Sequence, residues 1–155
     1  MERPVDRWLG QYASDHQNPT NRAIHTVCVP AILWTCIAAV WAIPLPGVGL
    51  PGVWAAALML LVLAYYARLS PRLAGVMAAA FAALAAVSHG LYLAIGPGGT
   101  WAVAGIVFVA AWIAQFVGHG IEGKRPSFFT DLQYLLIGPL WVADKGLRRV
   151  GLRSA

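Results

Sequence analysis

Charge is what this chain has least of. Acidic and basic residues make up 11% of its 155 residues, where soluble domains carry roughly 25%. Residues 23–67 contain no Asp, Glu, Lys or Arg, and residues 73–121 contain none either. With 59% hydrophobic residues, this excludes an ordinary soluble domain and predicts one integral membrane bundle. Cysteine is nearly absent as well. Cys28 and Cys36 lie eight residues apart on one apolar stretch, separated by ~12 Å of helical rise, too far for a disulfide. They read as apolar filler. No Cys-x-x-Cys-His is present, so covalent haem attachment is excluded. Residues 1–20 lack the apolar core of a cleavable leader. The net charge of +5 does not indicate nucleic acid, because the basic residues are confined to short segments beside apolar runs. That is how membrane topology is encoded.

The apolar runs are divided by turn formers. Residues 1–22 carry charge and are aqueous or interfacial; Trp8, Leu9 and Tyr12 recur at helical spacing and suit the headgroup layer. The tract 15–21, Asp-His-Gln-Asn-Pro-Thr-Asn, predicts a break. Pro44-Leu45-Pro46-Gly47 with Pro51-Gly52, then Arg68 to Arg72, then Gly96-Pro97-Gly98-Gly99 leave four spans, at about 24–43, 53–67, 73–95 and 100–118. Most approach the ~20 residues of a membrane-crossing helix; the second is short. The fold expected is therefore all-α, with four transmembrane helices. The N-terminal segment, the Arg68–Arg72 turn and Lys124-Arg125 are basic, whereas the two Pro/Gly turns carry no charge, so both termini face the cytoplasm. A further apolar segment, 128–142, contains Asp131, Gln133, Gly138 and Pro139 and has basic residues on both sides. It reads as an interfacial or re-entrant helix, with a basic tail on anionic headgroups.

Four histidines are sorted by this topology. His16 and His25 flank the start of the first span, and His119 ends the fourth, so all three lie on the cytoplasmic side. Glu122 follows His119 by three residues and shares its helical face. His89 lies 17 residues beyond Arg72, ~25 Å from the cytoplasmic edge, and reads as a histidine bonded to a neighbouring helix. A break near Pro19 lets His16 and His25 converge. The candidate metal set is thus His16, His25, His119 and Glu122. Asn21 is placed to hydrogen-bond a ligand or substrate, and Asp15 and Gln115 to orient a ligating imidazole. The bland reading of the His119–Glu122 segment is a solvated helix end loosened by Gly118 and Gly120. Three imidazoles and a carboxylate suit zinc, and equally iron(II) with positions left for oxygen and substrate; bis-histidine haem is a third use of such residues. Three functions follow: a metal-dependent oxygenase, a zinc hydrolase of lipids with Glu122 as base, or a non-enzymatic membrane scaffold.

His16-x4-Asn21-x3-His25-x4-Pro30 resembles the first motif of the 2-hydroxy-fatty-acid dioxygenase family of small membrane proteins. Gln115-Phe116-x-Gly118-His119, with Glu122 and Pro126, is similar to its second motif. The tract Phe128-Phe129-Thr130-Asp131-Leu132-x-Tyr134-x3-Gly138-Pro139-Leu140 fits as well. In many relatives the acidic residue lies four after the histidine; here it lies three after. The resemblance implies a membrane enzyme that uses iron(II) and O2, without 2-oxoglutarate, to remove one carbon from a 2-hydroxy fatty acid. It implies metal roles for His16, His25 and His119. Arg22, Lys124 or Arg125 would then attract the substrate carboxylate. The expected setting is the cytoplasmic membrane of a bacterium.

Overall fold

The computed structural model describes residues 4–47, 49–123 and 128–151, with side chains throughout except at 4 and 128–133. Among the described residues there are five helices and no strand: α1 (Pro4–Ser14), α2 (Pro19–Trp41), α3 (Val53–Leu69), α4 (Pro71–Glu122) and α5 (Phe128–Arg149). The all-α expectation holds. Lys124 and Arg125 lie outside the described residues.

The break expected before Pro19 is present and has a physical cause. Asn18 caps α2, its side-chain oxygen accepting from Thr20 N at 2.9 Å and Asn21 N at 3.4 Å. Pro19 takes the first helical position, where a missing N–H costs nothing. The chain is thereby folded back, and α1 does not run straight into α2.

Three contacts fix the path of the bundle. The Gly52 amide donates to Trp41 O at 3.0 Å, so α3 begins where α2 ends and runs back along it. His89, in the first arm of α4, packs against Trp41 with ring centroids 5.8 Å apart. Trp101, in the second arm, donates to Ala39 O at 2.9 Å, and His119 at the end of that arm reaches His25. The first arm therefore runs alongside α2 and the second runs back against it. The reversal occurs at Gly96, the one non-helical residue inside α4, with φ 69° and ψ −179°. Only glycine takes such a conformation freely, and Pro97 restarts the helix as a first-turn proline. The sequence reading of two spans separated by residues 96–99 is too wide: helix resumes directly after Gly96.

α2 and α4 are long and apolar enough to cross a membrane, and α3, at 17 residues, is shorter. α2 packs most extensively on α4. Gly118 sets how closely they approach, since a Cβ there would collide with Asn21 Oδ1 and lie 3.4 Å from Ile24 Cδ1.

α5 departs from expectation in extent. It continues through Pro139 to Arg149 as one helix. Its residues Tyr134, Ile137, Leu140, Trp141 and Asp144 are buried and recur every three or four positions, forming one face. That face covers α1 and the lower ends of α2 and α4. Tyr66 of α3 donates to Leu136 O at 2.6 Å and pins α5 from the other side. Leu9 and Tyr12, expected at the headgroup layer, are instead buried in this interface, at 6% and 3% exposure.

Candidate metal centre

Three helix ends bring His16, His25 and His119 together. His16 lies just after α1, His25 in the second turn of α2 and His119 in the last turn of α4. All three are buried, and one ring nitrogen from each lies within 4.8 Å of the others. Their ring centroids are 4.3 Å apart for His16–His25, 4.8 Å for His25–His119 and 5.4 Å for His16–His119.

Two backbone carbonyls fix the imidazoles. His16 Nδ1 donates to Tyr12 O at 2.8 Å, and His25 Nδ1 donates to Asn21 O at 3.0 Å. A carbonyl only accepts, so each Nδ1 carries the proton and each Nε2 keeps its lone pair. This is how a ligating histidine is usually oriented. His16 Nε2 is buried and has no hydrogen-bond partner among the described residues. An orphaned acceptor beside two further imidazoles is costly unless something occupies the space between them. The donor set fits a divalent transition metal. Burial pushes the His16 pKa below its ordinary 6.5; the nearby His119 acts in the same direction, and the Tyr12 hydrogen bond and the charges of Asp15 and Glu122 oppose it. The ring is therefore neutral at pH 7, as a ligand must be.

Glu122 lies beside the cluster but serves another group. Its carboxylate accepts from Gln17 N at 2.8 Å, from Asn18 N at 2.9 and 3.0 Å, and from the Asn21 side-chain amide at 3.0 Å. It thus sits on the N-terminal end of α2, where the helix dipole favours an anion. Partial desolvation would raise its pKa; the hydrogen bonds from Asn18, Asn21 and Gln17, with the charge of His16, outweigh this and hold it below 4.5. Asn21 is fully buried and links the two systems: its side chain binds Glu122 and its carbonyl holds His25.

The remaining candidates divide clearly. Gln115 lines the same cavity as the three histidines. Asp15 accepts from Tyr134 Oη at 3.3 Å, at the α1–α5 junction. Arg22 lines a separate surface recess with Lys145 and Arg149. His89 sits by Trp41, sixteen residues along α2 from His25, or ~24 Å away. His89→Ala is expected to leave metal per folded protein unchanged; loss of metal with the fold intact would overturn this site.

Sequence reasoning missed an aromatic cover. Tyr12 stacks on His16 with centroids 4.3 Å apart and planes at 14°, and Trp141 approaches His16 at 6.1 Å. Tyr134 meets Tyr12 edge-on at 5.2 Å. The available signal was the four-residue spacing of Tyr12 and His16, which places them on one helical face.

Fold and site together define an all-helical protein with a buried three-histidine centre at one end of the bundle. A family model described as 2-hydroxy-palmitic acid dioxygenase Mpo1-like matches residues 3–150. The chain is also 31% identical over 149 residues to 2-hydroxy-palmitic acid dioxygenase MPO1 of Saccharomyces cerevisiae, covering 92% of this chain and 79% of that protein. The chain belongs to the Mpo1-like family. No solved structure matches it.

Proposed function

We propose that this protein is an iron(II)-dependent membrane dioxygenase that shortens 2-hydroxy fatty acids by one carbon. The observation that carries this reading is the buried His16 Nε2, without a hydrogen-bond partner among the described residues, beside His25 and His119 in a cavity that all three line. Kinship with a 2-hydroxy-palmitic acid dioxygenase supports the substrate class. When bound, iron(II) supplies the redox chemistry of oxygen and a template for two reactants. The chain supplies the rest. Tyr12 and Asn21 hold two imidazoles in the ligating tautomer through their carbonyls. Gln115 offers an amide to the carboxylate or 2-hydroxyl of the substrate. Ile32, Leu33 and Trp112 line the cavity and exclude water from the reacting end.

The protein crosses the membrane four times in this proposal, with the two arms of α4 counted separately. The exposed apolar belt supports it: Leu61 is 68% and Ile106 71% exposed, which suits lipid better than water. In this proposal both termini, and the histidines, face the cytoplasmic side of a bacterial inner membrane, a reading that the alternation of basic and uncharged segments supports. A zinc hydrolase is the weaker reading, because both oxygens of its required base, Glu122, already bind the start of α2.

Anaerobically purified protein loaded with iron(II) is expected to consume oxygen and yield an acid one carbon shorter. Zinc-loaded protein should yield none. Oxygen-independent turnover with zinc would reverse the assignment.

A further inference from the structure

A second cavity adjoins the one that the histidines line. Leu33 and Leu135 line both, and the second, of about 240 Å³, lies between α2, α3, α5 and Phe81 of α4. Every side chain lining the second cavity is apolar or, at Cys36, a thiol. Both cavities draw on one stripe of α2. His25, Val29, Ile32 and Leu33 face the first, and Cys36, Ile37 and Val40 continue the stripe into the second, at the spacing of one helical face.

We propose that this second cavity holds the acyl chain of the substrate and sets the chain length accepted. The inference rests on the function proposed above. The carboxylate end lies at the histidines and the terminal methyl near Val40 and Ala55. Dimensions agree. His25 and Val40 are fifteen residues apart, ~22 Å along the helix, while one lipid tail fills about half of a ~30 Å hydrocarbon core. The stripe is long enough for a whole membrane-derived tail. Leu58, which is 51% exposed, stands on the outer edge of the cavity, so a lipid-dissolved acid enters sideways without passing through water. Ala55 is 2% exposed and lines the far end, where added bulk shortens the space.

Two measurements test this. The first does not depend on turnover. A long-chain 2-hydroxy fatty acid bearing a diazirine at its terminal carbon is photolysed with the detergent-solubilised wild-type protein. Labels are expected on Val40, Ala55 or Met59. Labels confined to outward-facing Leu61 and Val109 would overturn the proposal. The second measures kcat/KM for 2-hydroxy acids of graded length in Ala55→Phe, with Met59→Trp as a second blocking variant. The longest acids should lose about tenfold or more while the shortest stay within about twofold. A uniform loss, or none, in both folded variants also overturns it. Terminal labelling of Val40 or Ala55 without turnover of any 2-hydroxy acid would instead leave the acyl site standing and remove the dioxygenase.

Discussion

Replacing any one of His16, His25 and His119 with alanine is expected to abolish stoichiometric metal and, with it, oxygen-dependent shortening of a 2-hydroxy fatty acid. The three nitrogens lie within 4.8 Å of one another, so the centre has no spare imidazole among the described residues. Loss of an outer partner costs ~10–100-fold in metal affinity or activity; loss of a ligand should exceed that. The variants should remain folded, since each removes a ring from a cluster whose own desolvation opposes folding. Metal per protein and product formed in detergent, at matched thermal stability, decide the matter. Full activity in one variant removes that residue from the site, and full activity in all three ends the dioxygenase reading.

Glu122→Ala is expected to have the next largest effect and a different character. It strips the acceptor from Gln17 N and Asn18 N and releases the Asn21 side chain, whose backbone carbonyl orients His25. Metal affinity should fall by ~10–100-fold without vanishing. Complete loss, equal to a histidine variant, would make Glu122 a ligand. Its pH signature separates it further. The Glu122 pKa is held below 4.5, so its contribution to stability is complete above pH 4.5 and disappears as the pH falls through the lower folded value. The His16 pKa is held below 6.5, so its contribution is complete above pH 6.5 and disappears as the pH falls through its own lower value. Glu122→Gln should therefore reduce, without removing, the acid-side loss of thermal stability in the metal-free protein.

The helices and the meeting of three histidines were legible because both follow from topology. Charge-free runs give the helices, and alternation of basic and neutral turns puts His16, His25 and His119 at one end. Glu122 was harder to read. Its spacing from His119 satisfies a ligand and a helix-capping carboxylate equally, and only the position of the start of α2 distinguishes them. α5 was harder still. An amphipathic stripe looks the same whether it lies on headgroups or on α1, because the period is that of the helix and not of its partner. Reading Trp8, Leu9 and Tyr12 as interfacial hid the aromatic cover over His16 for the same reason. The turn at Gly96 was read as a four-residue loop because Gly-Pro-Gly-Gly marks a break without saying how many residues it consumes.

The bond from Gln17 N to Glu122 spans 105 positions of sequence, and this has a consequence in time. A ribosome adds ~5–20 residues per second, so His16 and His25 exist for roughly 5–20 s before His119 and its neighbouring carboxylate are made. During that interval α2 has no anion at its N-terminal end, and its two histidines have no third partner. Metal acquisition is therefore expected as a late event in biogenesis, after α4 has returned to the side where synthesis began. A nascent chain arrested before residue 119 should retain no stoichiometric metal, however long it is held.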